Sequence, residues 1–246
     1  MGDAPELSIL MPAYNEAATV ESAIRRVLAT EFPVAFELIV IDDGSSDGTP
    51  DLIAESWPQE VRLLRRERNE GKGAAVRAGL GEARGTYSAI IDADLEYDPA
   101  DIVRLLERLL DGTAEAVYGV RGFESHSAYS FWYVVGNKGV TLVTNLLYNS
   151  WISDLMTCHK VMRTALFRAL SLSESGFEIE PEITARLLRG GVRIYEVPIT
   201  YNARSRSAGK KLRAIDGLRV VGTLLRCRFT GAASAGEVRR ILSASR

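Results

Sequence analysis

The chain has 246 residues, 46% hydrophobic and 25% charged, which suits one large folded domain with a real core and excludes a disordered chain. A net charge of −2 excludes a global bias toward nucleic acid, and two cysteines with two scattered histidines exclude a disulfide framework or a zinc signature. No uninterrupted apolar stretch reaches about 18 residues and no basic-then-apolar leader opens the chain, so the expectation is a cytoplasmic protein whose membrane contact, if any, is peripheral on the inner face.

The apolar run at 7–11 ends at Pro12 and predicts a buried strand. After the loop 13–16 comes a helical pattern with Val20, Ile24, Val27 and Leu28 on one face. Residues 36–41 predict a second strand, stopped by the turn-forming cluster 42–49. A helix to about 57 and a third strand at 61–64 follow. Gly71-Lys72-Gly73 opens an Ala-rich helix to about 83, and a fourth strand at 87–91 ends at Asp92-Ala93-Asp94. Asp101 is expected to cap a helix with Ile102, Leu105, Leu106 and Leu109 inward, before a strand at 114–120.

The second half is less regular. Residues 131–147 predict a helix with Phe131, Val135, Leu142 and Leu146 on one face. That segment, with Trp132 and Trp151, is expected in the core, with contact to an isoprenoid chain as the other reading. A short helix at 182–189, a strand at 192–201 broken by Pro198, and a flexible basic stretch at 205–211 come next. Residues 212–229 predict a basic amphipathic helix with Ile215, Leu218, Val221, Leu225 and Phe229 apolar. It either packs on the core, the favoured reading, or lies on an anionic leaflet. Residues 231–246 are expected to be a fraying polar tail.

Strand–helix alternation over the first 110 or so residues implies an α/β fold with a mostly parallel sheet and helices on both faces. Functional loops of such sheets lie beyond the carboxyl ends of the strands. The clusters at 13–16, 42–49 and 92–98 all follow strand ends, so they should converge on one edge.

Asp92 and Asp94, one residue apart after a buried strand, offer hard oxygen ligands of the kind Mg²⁺ or Mn²⁺ takes together with substrate phosphates. The alternative is an acidic turn capping the next helix. Asp42 and Asp43 offer acceptors for a base or ribose, or a plain turn. Gly71-Lys72-Gly73 leads into a helix N-terminus that suits an anion, or is a flexible turn with a surface Lys; it is no Walker loop.

Taken in order, Met11-Pro12-Ala13-Tyr14-Asn15-Glu16, the cluster from Asp42 to Thr49, Asn69-Glu70-Gly71-Lys72-Gly73 and Asp92-Ala93-Asp94-Leu95-Glu96 resemble the motifs of family 2 glycosyltransferases. The likeness is to the dolichol-phosphate mannosyltransferase branch and its bacterial polyprenyl-phosphate relatives. The segments 154–160, 176–182, and Arg204 with Gly209-Lys210-Lys211 extend it over about 7–229.

The resemblance implies a GT-A fold, with 1–230 as one domain, 7–120 its nucleotide-sugar half and 121–230 its acceptor half. It implies inverting hexose transfer from GDP-mannose or UDP-glucose to a polyprenyl phosphate, with Mg²⁺ or Mn²⁺. Pro12, Tyr14, Glu16 and Asp43 would line the nucleoside, with Asp42 supporting that loop. Asp92, Asp94 and Glu96 would surround the metal and diphosphate; Gln is common in the family where Glu96 stands. Arg121 would face the acceptor phosphate, and Arg204 and Lys210 would lie over the diphosphate, with Lys72 adding positive charge. A phosphate acceptor needs cations rather than a strong base. A hydroxyl acceptor needs a carboxylate base, for which Glu180 and Glu182 are candidates. Asp154 is a candidate for orienting sugar hydroxyls, and His159 is expected to be packed. Two other classes are a sugar nucleotidyltransferase, disfavoured by Pro-Ala-Tyr-Asn-Glu after the first strand, and a nucleotide-sugar-binding protein without catalysis.

Overall fold

The computed structural model describes residues 4–57, 59–122, 131–203, 214–230 and 232–244. In chain order the elements are β1 (Leu7–Ala13), α1 (Val20–Leu28), β2 (Phe36–Asp42), α2 (Thr49–Ser56), β3 (Val61–Arg65), α3 (Lys72–Glu82), β4 (Tyr87–Ile90), α4 (Pro99–Leu110) and β5 (Ala116–Arg121). They continue with α5 (Phe131–Tyr148), β6 (Lys160–Arg163), α6 (Thr164–Ala169), α7 (Ile179–Gly190), β7 (Ile194–Ile199), α8 (Ala214–Phe229) and α9 (Ala232–Ala244).

The strands form one sheet in the order β3-β2-β1-β4-β6-β5-β7. Strands β1 and β2 are almost wholly buried, as parallel strands covered on both faces must be. Their register pairs Ala13 with Asp42, so the loops after both strands emerge side by side. Strand β4 pairs parallel with β1, and β5 with β7. Strand β6 runs antiparallel to both β4 and β5, which sets its first residue, Lys160, at the edge where they end. This strand and α6 are absent from the sequence-based expectation, because 154–163 shows no clean period.

Five expectations need correcting. The cap of α4 is Asp98, whose carboxylate accepts from the Ala100 amide at 3.1 Å; Asp101 instead lies in the first turn and holds the Thr200 amide at 2.8 Å. Residues 232–244 are no fraying tail: α9 buries Val238 against α7, where Gly190 leaves room for it. In α5 the face with Phe131, Val135, Leu142 and Leu146 is exposed, while Val140, Val143 and Leu147 pack inward. Helix α8 does the same: Leu218, Leu225 and Phe229 are exposed, and Val220, Leu224 and Cys227 join Ile152, Leu155 and Ala185 in a second small core. Trp151 is 85% exposed, so it is no core residue either.

Candidate active site

The loops after β1 and β2 are stitched together by polar side chains. Asn15, at φ 54°, takes a left-handed backbone that Asn tolerates. Its side-chain oxygen accepts from the Ser46 amide and its own amide donates to Ser45 Oγ, both at 2.9 Å. The Glu16 amide donates to Thr49 Oγ1 at 3.0 Å, and Asp47 accepts from the Ala17 amide at 3.0 Å. Pro12, Tyr14 and Glu16 lie on this edge in β1 and the loop after it, as the sequence implied.

Both aspartates that end β2 are buried. Asp42 accepts from the Ser45 amide, within the turn that follows β2. Asp43 receives Arg66 at 2.5 Å and the Gly71 amide at 2.6 Å, so it latches the segment before α3 to the end of β2. Gly71, at φ 101°, approaches so close to the segment before α7 that a Cβ there would stand 2.6 Å from the Ser175 carbonyl oxygen. A side chain at Gly71 would push α3, and Lys72 with it, off the sheet edge.

Lys72 is the hub of the site. Its ammonium lies 2.8 Å from Asp92 and 3.0 Å from Glu180. Glu180 is in turn paired with the Lys160 ammonium, which is wholly buried, bonded to the Thr157 carbonyl and set 4.8 Å over the Tyr118 ring. A buried charge persists only when it is paired, and here two carboxylates alternate with two ammonium groups. Burial pulls Lys72 down, but Asp92 and the other nearby anionic groups outweigh it and leave it well above the ordinary Lys range. Burial lifts Asp92, and Lys72 more than reverses that. Burial draws Lys160 below its ordinary value despite Glu180.

The remaining acids diverge. Asp94 accepts from the Glu96 amide at 3.1 Å, and Leu95 between them sits at φ 64°. Glu96 turns its carboxylate to the Tyr201 hydroxyl. Among the described residues no three His, Cys, Asp or Glu side chains gather as metal ligands, so the expected cluster of Asp92, Asp94 and Glu96 is not preformed. The donor chemistry still fits a hard divalent ion. Mg²⁺ and Mn²⁺ bind through one or two carboxylates plus substrate phosphates, and with Lys72 already on Asp92 the principal protein ligand would be Asp94.

Across the edge, at the end of β5, Arg121 is gripped by Asp154 through two parallel bonds of 2.6 and 2.8 Å. Asn137 of α5 donates to the same carboxylate at 2.9 Å. This bidentate geometry fixes the guanidinium plane, which also lies 5.1 Å over the Tyr201 ring. Burial raises the Asp154 carboxyl, and Arg121 overrides it and holds it below the usual range. Asp154 is thus a holder of Arg121, in place of the expected contact with sugar hydroxyls.

Behind Arg121 stand residues that motif reasoning missed. Tyr97 stacks on His159 at 4.6 Å and tilts against Tyr201 at 5.1 Å, and its hydroxyl accepts from the Cys158 amide. The signal for Tyr97 was its place in the acidic loop 92–98; Tyr201 had none beyond its position at a strand end. His159 is packed as expected, and burial pushes its ring down to about 3, so it is neutral. Glu182 receives Arg186, the Ser173 amide and hydroxyl and the Glu174 amide, which makes it a latch for the segment before α7. With Glu180 held by two lysines, neither glutamate is placed as the general base first considered for them. Arg204 and Lys210 lie outside the described residues.

Residues 8–171 match the profile described as Glycosyl transferase family 2. The chain belongs to that family. It is 28% identical over 211 residues to a dolichol-phosphate mannosyltransferase of Pyrococcus furiosus, covering 83% of this chain and 59% of that protein. It is 36% identical over 131 residues to an undecaprenyl-phosphate 4-deoxy-4-formamido-L-arabinose transferase of Pseudomonas aeruginosa, covering 51% and 38%. To the succinoglycan biosynthesis protein ExoO of Rhizobium meliloti it is 41% identical over 104 residues, covering 42% and 30%. The chain therefore spans well under two thirds of the length of these relatives. Among solved structures, glucosyl-3-phosphoglycerate synthase from Mycobacterium tuberculosis, crystallised with Mn²⁺, UDP and glucosyl-3-phosphoglycerate, superposes with a TM-score of 0.70 at 23% identity, over 93% of this chain and 82% of that one. The likeness supports the GT-A fold: a mostly parallel sheet of seven strands flanked by helices.

Proposed function

We propose that the protein transfers a hexose, with inversion, from GDP-mannose or UDP-glucose to a polyprenyl phosphate. The observation that carries this reading is the state of Glu180: this carboxylate, a sequence-based candidate for a base, is held between Lys72 and Lys160. A hydroxyl acceptor needs a base to take its proton, whereas a phosphate monoester arrives already anionic and needs only cations to position it. Arg121, held flat by Asp154, supplies such a cation at the edge opposite Asp92 and Asp94. Two relatives whose names specify dolichol-phosphate and undecaprenyl-phosphate chemistry agree with that acceptor class.

In the proposed reaction a phosphate oxygen of the acceptor bonds to the anomeric carbon as the bond from that carbon to the donor's diphosphate breaks. The leaving nucleoside diphosphate takes the electron pair. The edge formed by Pro12, Tyr14 and Glu16 holds the nucleoside, with Asp42 and Asp43 keeping its loops in place. Lys72 stabilises negative charge as it develops on the diphosphate, at a site where little water competes with it. A divalent ion at Asp94, when bound, adds Lewis-acid stabilisation of the leaving group. Arg204 and Lys210 carry, by the resemblance, the positive charge over the diphosphate from the acceptor side.

The test is an incubation of the protein with each donor and Mn²⁺ or Mg²⁺, offering either a short-chain prenyl phosphate or water-soluble hydroxyl acceptors. Sugar should appear on the prenyl phosphate. Transfer to a hydroxyl acceptor alone would sink the lipid reading and leave the glycosyltransferase one.

A further inference from the structure

Arg121 is held by more than its carboxylate. Asp154 takes Nε and Nη2 of the guanidinium, and paired bonds of that kind fix a guanidinium within its own plane. Hydrogen-bond directions at a carboxylate oxygen are broad, so the tilt of that plane depends on what packs against its face. On one face that group is Tyr201, whose ring centroid lies 5.1 Å from the guanidinium carbon. Sheet register puts the ring there. Arg121 of β5 is paired with Ile199 of β7, and Tyr201 follows Ile199 by two residues, so on an extended chain both side chains leave on the same side.

Tyr201 is 3% exposed and is fixed in backbone, ring and hydroxyl. Its backbone forms an antiparallel bridge with Tyr97, and the next amide, of Asn202, donates to the Glu96 carbonyl at 2.8 Å. Its ring tilts against Tyr97 at 5.1 Å, and Tyr97 stacks on the wholly buried His159 at 4.6 Å. Its hydroxyl donates to the Glu96 carboxylate, since a phenol is a far weaker acid than a carboxylic acid. Arg121, Tyr201, Tyr97 and His159 thus form one column of packed groups that runs from the site into the core. The column ties the end of β5 to the loop after β4, which carries Asp92 and Asp94.

We propose that Tyr201 is a positioning residue for Arg121. The negative face of its ring sets the tilt of the guanidinium, and the Glu96 bond and the Tyr97 bridge anchor that ring to the loop after β4. An anion that takes parallel bonds from a guanidinium lies in the guanidinium's plane, so setting that plane sets where the anion sits relative to Asp92 and Asp94. The placing of Arg121 stands on these contacts alone. Its effect on transfer rests on the reading above, in which Arg121 meets the acceptor phosphate.

The test has two readouts. The first is water exchange of the arginine Nε–H resonances in the isotope-labelled full chain, with Arg121 identified as the signal lost in Arg121→Lys. The second is steady-state transfer to a short-chain prenyl phosphate. Tyr201→Leu should speed exchange at Arg121 and lower kcat, each about tenfold, with the donor KM unchanged. Tyr201→Phe keeps the ring and should stay within about threefold of wild type in both. Because a buried ring is removed, Tyr201→Leu is checked by circular dichroism and melting. A pair that preserves shape guards against misfolding: phenylalanine at 201 against phenylalanine with a fluorinated ring, whose face is less negative. The fluorinated ring should give faster exchange and a lower kcat than phenylalanine. Wild-type exchange at Arg121 in Tyr201→Leu, or no difference between the two phenylalanines, overturns the proposal. So does a Tyr201→Phe protein as impaired as Tyr201→Leu, which would give the effect to the hydroxyl. A wild type that moves no sugar to prenyl phosphate sinks the acceptor reading instead, and the exchange measurement, which needs no acceptor, still decides the role of Tyr201.

Discussion

The sheet edge around Lys72 and the helical pair α5–α8 place polar and apolar groups in opposite ways. At the edge, charged side chains go inside. Asp42, Asp43, Asp154, Lys160 and Glu180 are all nearly inaccessible to solvent, and each is bonded to protein groups. In the helical pair, large apolar side chains also stand outside, while Val140, Val143, Leu147, Val220 and Leu224 pack inward with Ala185 of α7. A fold driven only by burial of apolar area would do neither. On the proposed function, the edge keeps charges because chemistry on a diphosphate needs cations in a dry, fixed setting.

Substitutions can break this contrast. The largest effect is expected at Glu180. Glu180→Gln leaves Lys160 buried with no carboxylate partner among the described residues, a situation that typically costs about 3–5 kcal/mol. Urea denaturation measures it, and adding Lys160→Met should recover much of the loss. A Glu180→Gln protein as stable as wild type would show that the buried pair does not hold the edge.

His159 comes next. Its folded value of about 3 lies below the ordinary 6.5, so between those limits the unfolded chain binds more protons than the folded one. Its contribution is complete above 6.5 and is lost on acidification, at roughly 1.4 kcal/mol per pH unit while the difference is full. His159→Phe, which keeps a ring against Tyr97, should flatten the stability profile between pH 6 and pH 4. Parallel profiles for the two proteins would mean the native ring takes up the proton.

Asp154→Asn should leave the fold largely intact but free the guanidinium plane of Arg121. The expected loss is about tenfold or more in transfer, equivalent to ~1.4 kcal/mol, with donor affinity little changed. Equal losses in donor binding and transfer would move Arg121 to the nucleotide side. Asp98→Ala removes the cap of α4 and should cost about 1 kcal/mol in thermal melts. Leu142→Ser, on the outer face of α5, should change stability by less than about 0.5 kcal/mol. A substantially larger loss there would mean that the stripe is packed against protein and would remove the contrast.

The sequence by itself determined the alternation of strands and helices through β5, because the strands are short apolar runs with polar stops and α1 and α4 carry a clean helical period, while α3 is marked by its Ala-rich composition after Gly71-Lys72-Gly73. It also determined that the loops after β1, β2 and β4 share an edge, since parallel strands joined by crossovers leave no other arrangement. Those two facts placed Asp92 and Asp94 on that edge, the Gly71-Lys72-Gly73 turn pointed to Lys72, and the resemblance to family 2 glycosyltransferases pointed to Arg121. Tertiary structure decided the partners. Spacing does not tell that Asp43 would latch the Gly71 segment, that Glu180 would sit between two lysines, or that Asp154 would grip Arg121, because each pair joins residues 20 or more positions apart. It also decided which way α5 and α8 face. Both helices have apolar residues on two sides, so periodicity marks the stripes but not which one meets the core; that is decided by the packing of α5 and α8 against each other and against α7.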